Sequence, residues 1–244
     1  MTKALYLIPV TLGENDINRV LPSYNHDIIV GIKYFIVENI KSAIRFLKLV
    51  EKEIDISKIK FYELNEHTDL KTIGNYLDPL KKGFSMGVIS EAGCPAVADP
   101  GAAVVEMAQK QNLKVIPLVG PSSMIMALMA SGMNGQSFAF NGYLPVKPGE
   151  RAKKLSQLEA RSAKENQTEL FIEAPYRNLK MLETILSSLR PDTRLCIAAG
   201  ITTQVEYIHT YTVEQWKKMP SPDINKIPAI FLIYANQTGI QKRK

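Results

Sequence analysis

Cysteine is nearly absent. Cys94 and Cys196 are the two in 244 residues, so at most one intrachain disulfide is possible, and a chain of this length buries a core without one. Both thiols are expected to be reduced. Long hydrophobic runs are missing too: the longest nearly uncharged stretch, Val115 to Met133, is interrupted by Gly120, Pro121, Ser122, Ser123, Ser131 and Gly132. A membrane span needs about 20 predominantly apolar residues, so a soluble protein with no membrane partner is expected. The opening Met-Thr-Lys-Ala-Leu-Tyr-Leu-Ile-Pro lacks the small-residue cleavage site of a secretory signal, which makes the cytoplasm the expected location. There is no Gly-x-Gly-x-x-Gly after a strand, no P-loop, no Gly-x-Ser-x-Gly elbow and no pair of Cys or His at metal-ligand spacing. Dinucleotide, nucleoside-triphosphatase, elbow-type hydrolase and zinc chemistries lose ground accordingly, and no metal is expected. His26, His67 and His209 stand alone in sequence and read first as surface or structural histidines.

What remains is ordinary globular composition, 45% hydrophobic and 22% charged, enough for one large domain or two compact ones. The net charge of +6 is uneven: 14 Lys and Arg balance 14 Asp and Glu up to Pro117, against 16 and 10 afterwards. Three of the later cations are the terminal Lys242, Arg243 and Lys244. Lys147, Arg151, Lys153 and Lys154 form the other concentration, diluted by Glu150. This pattern fits a weak preference for polyanions, or simply a solvated helix face and a ragged tail.

Short apolar runs at Ala4 to Pro9, Tyr34 to Val37, Phe61 to Leu64, Ser85 to Ser90 and Val115 to Val119 read as buried strands. Amphipathic stretches lie between them. Lys41 to Glu53 places Ile44, Leu47 and Val50 on one side, and Asp69 to Leu80 follows Thr68 as a possible cap. After Gly120 the alternation restarts, with helices predicted at Pro121 to Ser131 and Tyr176 to Leu189. Strands are predicted at Phe138 to Tyr143, Glu169 to Glu173, Leu195 to Ala199, Val205 to Thr212 and Ala229 to Ala235. The class is α/β, arranged as two lobes, 1–117 and 118–244, with a ligand cleft expected between them.

Two segments carry chemistry. In Val88-Ile-Ser-Glu-Ala-Gly-Cys-Pro-Ala-Val-Ala-Asp-Pro-Gly101 a strand runs into small residues and two prolines. Asp99 is expected to cap a helix from Gly101 to Gln111 with Pro100 at its first position, and Gly93 to let a ligand approach the backbone. A tight capped connection is the plain alternative. In Val119-Gly-Pro-Ser-Ser-Met-Ile-Met-Ala-Leu-Met-Ala-Ser-Gly132, a helix again begins after Gly-Pro with free N–H groups and two hydroxyls. Such an end suits a carboxylate or phosphate, although Ser122 and Ser123 can equally be simple caps. Met124, Met126, Met129 and Met133 read as adaptable core packing.

In this order, the segments resemble the tetrapyrrole methylase superfamily, and within it the bacterial small-subunit ribosomal RNA cytidine 2′-O-ribose methyltransferases. Leu5 to Gly13 is similar to that family's opening strand and Pro-Thr-Pro-Ile-Gly loop, and Ile89 to Gly101 to its Ser-Asp-Ala-Gly-Thr-Pro…Asp-Pro-Gly motif. Gly120 to Ser123 resembles its Gly-Pro helix start. Phe140-Asn-Gly-Tyr-Leu-Pro145 is similar to its Glu-Gly-Phe-Leu-Pro segment, and Leu170-Phe-Ile-Glu-Ala-Pro-Tyr-Arg-Asn-Leu179 to its Phe-Tyr-Glu-Ser…His-Arg-Leu stretch. The resemblance spans nearly the whole chain. It implies S-adenosylmethionine as cofactor, RNA of the small ribosomal subunit as substrate, and a homodimer. Carried over by position, Pro9, Ser90, Glu91, Ala92, Gly93, Pro95, Ala98 and Asp99 line one wall of the cofactor site. Ser122 and Ser123 lie near the methionine part, with Tyr143 opposite.

The chain departs from this pattern where charge matters. Val37-Glu-Asn-Ile-Lys41 keeps the Glu of the family's Ala-Glu-Asp-Thr-Arg but not its Asp and Arg, and Ala199-Gly-Ile-Thr-Thr203 replaces Arg-Glu-Leu-Thr-Lys. Glu91 and Cys94 stand for an Asp and a Thr. The expected activity is methyl transfer to an RNA ribose, with Glu38 and Lys147 first among acid-base or substrate-positioning candidates and Glu63 and His67 behind them. The alternatives are a small tetrapyrrole-like acceptor, or a cofactor-binding interaction protein without catalysis.

Overall fold

The structure is a computed structural model that describes residues 2–13, 16–65, 68 and 72–235. His67, Lys242, Arg243 and Lys244 lie outside the described residues. The chain divides into two compact units, Met1–Ser122 and Ser123–Lys244.

The first unit holds β1 (Leu5–Ile8), α1 (Ser23–Val30), β2 (Tyr34–Val37), α2 (Ile40–Val50), β3 (Lys60–Glu63), α3 (Asp78–Lys81), β4 (Met86–Ile89), α4 (Ala102–Lys110) and β5 (Val115–Pro117). Its strands form one parallel sheet in the order β3-β2-β4-β1-β5. Continuous apolar strands such as Met-Gly-Val-Ile in β4 are what a sheet covered on both faces requires. Side chains alternate across each strand, so Tyr6 and Ile8 of β1 join a core with α1 and α2, while Leu5 and Leu7 face α3 and α4. Because all five strands run the same way, the loops that follow them gather at one edge.

The expected helix over Asp69–Leu80 is replaced, among the described residues, by a 3-10 turn at Thr72–Asn75 and the short α3. Gly74 in the turn and Pro79 near the start of α3 interrupt a continuous ladder of helical hydrogen bonds.

The second unit holds α5 (Ser123–Ser131), β6 (Phe138–Tyr143), α6 (Pro148–Glu165), β7 (Thr168–Ile172), α7 (Asn178–Ser188), β8 (Arg194–Ala199), β9 (Tyr207–Thr212), α8 (Val213–Lys218) and β10 (Ala229–Tyr234). Its sheet runs β6-β7-β10-β8-β9; β6 and β7 are parallel and the remaining pairs antiparallel. α6, α7 and α8 cover one face through Leu155, Leu158, Met181, Ile185 and Trp216.

Two expectations need correction in this unit. Met129 is 78% exposed rather than core, because Ala127, Leu128 and Ser131 supply the buried side of α5. The basic concentration after Pro145 lies at the start of α6 and is divided between the buried and exposed sides of that helix: Arg151 is buried while Lys147 and Lys153 face solvent.

Buried charges in this unit are paired or hydrogen-bonded, as burial demands. Glu169 of β7 is shielded from water and is held by Arg161 and by Asn141 Nδ2 at 2.9 Å. Glu159 accepts from Thr193 Oγ1 at 2.5 Å and from the Arg190 backbone N–H at 2.9 Å.

Candidate functional site

In an open parallel sheet, ligands favour the crevice beyond the carboxyl ends of the strands. At that edge of the first unit, the loops after β1, β4 and β5 are fastened to one another. Val10 and Gly93 exchange backbone hydrogen bonds of 2.9 and 3.1 Å, joining the loop after β1 to the loop after β4. Gly93 adopts φ +68°, and a Cβ there would meet Leu12 Cδ2 at 3.1 Å and the Pro121 carbonyl at 3.4 Å. Gly120, in the loop after β5, lies against the Pro9 ring so closely that any side chain would overlap it. The Cys94 thiol donates to the Pro121 carbonyl at 3.4 Å, and its burial pushes its pKa up, which keeps it a neutral thiol. Asn25 Nδ2 donates to the Val119 carbonyl at 2.9 Å, fixing the same loop to α1.

Pro9, Ser90, Gly93 and Pro95 are buried walls of this edge, whereas Glu91, Ala92 and Ala98 are exposed on it. Ser90 Oγ donates to the Gly93 carbonyl at 3.3 Å. Asp99 is not the cap of α4. That helix starts at Ala102 behind Gly101, and Asp99 Oδ1 instead accepts from the Ala96 N–H at 3.0 Å and the Gly101 N–H at 2.7 Å. Pro100 has no N–H to offer, and left-handed residues at Ala96 and Ala98 fold the loop back on this carboxylate. The result is a rigid loop whose small residues leave the backbone approachable.

Glu38 is half-buried just after β2. With Val37, Leu64, Asp99, Pro100 and Gly101 it lines a small depression at the same edge. Asn39, standing where the family has Asp, caps α2 by accepting from the Lys41 and Ser42 N–H groups at 2.9 and 3.1 Å. The amide therefore keeps the helix start that the carboxylate would provide. Glu63 is exposed at the end of β3, and Tyr76 Oη donates to its carbonyl at 2.7 Å. Ser122 closes the first unit; Ser123 opens α5 in the second.

Tyr143 is 64% exposed at the end of β6, where the pairing with β7 is irregular between Phe140 and Tyr143. Lys147 precedes α6 with 81% of its side chain exposed, 3.3 Å from Glu150. His26 pairs with Glu51 at 3.2 Å, and in the second unit His209 is tilted against Tyr207 and stacked on Tyr211. The described residues contain no group of three or more His, Cys, Asp or Glu able to hold a metal ion. None of the described helices is long and apolar enough to cross a membrane.

Three residues that received no role from the sequence emerge at the end of β7: Glu173, Tyr176 and Arg177. Their signal was present in the stretch Leu170 to Leu179, where an acidic residue follows an apolar strand and an aromatic-basic pair follows a proline.

No protein-family model matches the chain. A Vibrio cholerae protein named ribosomal RNA small subunit methyltransferase I is 32% identical over 206 residues, covering 84% of this chain and 67% of that protein. The protein of the same name from Buchnera aphidicola is 30% identical over 215 residues, 85% of this chain and 69% of the relative. Among solved structures, the methyltransferase CobJ superposes with a TM-score of 0.62 at 15% identity, covering 99% of this chain and 97% of the other. The cobalt precorrin-4 methyltransferase CbiF gives 0.55 at 16% identity, with 95% of each chain covered. At such identities the structures establish the fold, and the sequence relatives establish the kinship. The chain belongs to the ribosomal RNA small subunit methyltransferase I family, methyltransferases built on the tetrapyrrole methylase fold.

Proposed function

We propose that this protein binds S-adenosylmethionine at the carboxyl edge of its first sheet and methylates a ribose 2′-hydroxyl in RNA of the small ribosomal subunit. The observation that carries the reading is the fastening of three loops through Val10–Gly93 and Pro9–Gly120, which creates a rigid backbone wall beside Ser90 and Asp99. That wall fits the cofactor. A nucleoside with an amino-acid tail needs donors and acceptors at fixed positions, and peptide groups supply both without side-chain entropy to lose. Ala92 and Ala98 leave the approach free of bulk, and Gly93 has no side chain to intrude. Pro9, Ser90, Glu91, Ala92, Gly93, Pro95, Ala98 and Asp99 form the proposed binding set, with Ser122, Ser123 and Tyr143 completing it by family position.

When bound, the donor supplies a methyl group already activated on a sulfonium. The protein's own contribution is placement, since holding two reactants in line can supply about 7–11 kcal/mol of the barrier. A ribose hydroxyl is a weak nucleophile, and Glu38 is the proposed group that accepts its proton or orients it. Lys147, solvated and mobile on its long stem, is proposed to position the substrate by holding a phosphate. The protein is further proposed to work in the cytoplasm as a homodimer, which predicts a sedimentation mass of two chains.

Calorimetry and a labelled-methyl assay test the reading. S-adenosylmethionine should bind saturably, and Ala92→Phe should abolish binding while the thermal midpoint stays unchanged. Label should enter ribosomal subunits rather than tetrapyrrole precursors. No binding at millimolar cofactor would sink the cofactor site, and label confined to the porphyrinoid pool would sink the RNA acceptor.

A further inference from the structure

A second surface lies at the end of β7, within the second unit. The Glu173 side chain is fully shielded from solvent, and its Oε1 accepts from the Ala174 N–H at 2.7 Å and from Arg177 Nε and Nη2 at 3.0 and 2.5 Å. Its other oxygen is buried with no partner among the described residues. The guanidinium is therefore held by a single oxygen on one side of its fork. Arg177 Nη1 makes no hydrogen bond to a described residue, and 19% of the side chain reaches solvent. Tyr176, next in line, is 68% exposed, with the Arg177 guanidinium 5.5 Å from its ring centre.

Other cations converge on this corner. Arg151 reaches from α6 to the Lys180 carbonyl at 3.4 Å and Thr184 Oγ1 at 2.8 Å, and to the Val146 carbonyl at 3.4 Å, so the start of α6 is tied to the first turns of α7. That brings exposed Lys147 and Lys180 to the same end. The Lys226 N–H donates to the Pro175 carbonyl at 3.1 Å, which adds a third exposed lysine. The acidic residues of these segments are Glu150, paired with Lys147, the exposed Asp223 and Glu183, and the buried Glu173, so the exposed cations still outnumber the unpaired exposed acids. A tyrosine in a purely structural role packs its ring. Here the ring is mostly in water and one arm of the fork is open.

We propose that this corner binds a single-stranded stretch of the RNA substrate, with one base stacked on Tyr176 and with Arg177, Lys147, Lys180 and Lys226 contacting phosphates. The inference rests on the RNA reading above. Exposed aromatics among cations are the recurring platform for single strands, because every base has a face to stack and every linkage a charge to meet. A duplex keeps its bases stacked on one another and leaves the tyrosine unused. Glu173 is a positioning residue: it fixes Arg177 before the strand arrives, which reduces the ordering cost of binding.

The test is fluorescence anisotropy with a labelled single-stranded oligoribonucleotide and a blunt duplex of equal length, using the full chain. The single strand should bind more tightly. Tyr176→Ala should weaken it about tenfold and Tyr176→Phe should hold near wild type, a split expected of stacking. Arg177→Lys should also lose affinity, because a point charge cannot use the held fork. Unchanged cofactor affinity and thermal midpoint certify that the variants fold. Equal affinity of Tyr176→Ala and wild type, equal losses in the Ala and Phe variants, or a preference for duplex each overturn the inference. Methylation of ribosomal subunits with undiminished efficiency by Tyr176→Ala removes this surface and spares the reading above. Single-strand binding through Tyr176 without ribosomal methylation does the reverse.

Discussion

Gly120 and Pro9 meet with no room for a methyl group between them: a Cβ on the glycine would overlap Cβ and Cγ of the proline ring. This contact joins the loop after β5 to the loop after β1. In Gly120→Ala one loop must give way, at about 1–3 kcal/mol for overpacking. The thermal midpoint should fall, and calorimetry should show weaker S-adenosylmethionine binding even at temperatures where the variant remains folded. Normal cofactor affinity would mean that the loop fastening is irrelevant to the site.

Arg161 and Glu169 offer a different kind of test. The carboxylate is completely buried, and removing the arginine leaves it with Asn141 alone. Stranding a buried charge costs about 3–5 kcal/mol, whereas replacing both members by apolar residues of similar volume is often neutral. Urea unfolding should therefore show Arg161→Ala strongly destabilised and Arg161→Met with Glu169→Leu close to wild type. If the double variant is the weaker protein, the pair contributes net stability instead of merely satisfying itself.

The strand pattern was largely legible in the sequence. The run predicted at Phe138–Tyr143 is β6 to the residue, and short apolar segments bounded by turn residues gave the other strands within a few positions. Helices were harder. α6 is 18 residues long and went unassigned because Lys, Arg, Glu and Gln dominate it, and its buried Arg151 and Glu159 disguise the apolar stripe of Leu155 and Leu158. Asp99 misled for the opposite reason: its local signal was a cap, but left-handed residues three positions and one position earlier diverted its carboxylate into the loop. The candidate site was visible as two glycine-proline segments. Their mutual fastening was not, since the Val10–Gly93 pairing joins residues far apart in the chain.

Lys147 separates charge from stability. Its pairing with Glu150 is exposed on both sides, and surface pairs of this kind are worth about 0–1 kcal/mol. Lys147→Ala should leave unfolding within about 0.5 kcal/mol of wild type and lower the slope of log affinity for RNA against log salt by about one. An unchanged slope would remove Lys147 from the phosphate contacts.

His26 gives a pH signature remote from catalysis. Hydrogen bonds to Glu51 and then Asp27 raise its pKa above 6.5. A raised histidine stabilises the fold while protonated: the contribution is complete below the unfolded value and is lost as pH climbs through the folded one. The pair is partly exposed and solvent screens it, so the midpoint difference between wild type and His26→Asn should be about one or two degrees near pH ~5.5, vanishing by about pH 8.5. A difference that grows toward alkaline pH would reverse the assignment.

The uniform strand direction of the first sheet has a practical corollary for the bench. Lys33 and Lys114, each immediately ahead of a strand, and Lys60, the first residue of β3, are all exposed and sit at the end of the sheet away from the glycine-proline loops. A dye or an immobilising tether attached there reports on or anchors the molecule while leaving ligand entry unobstructed.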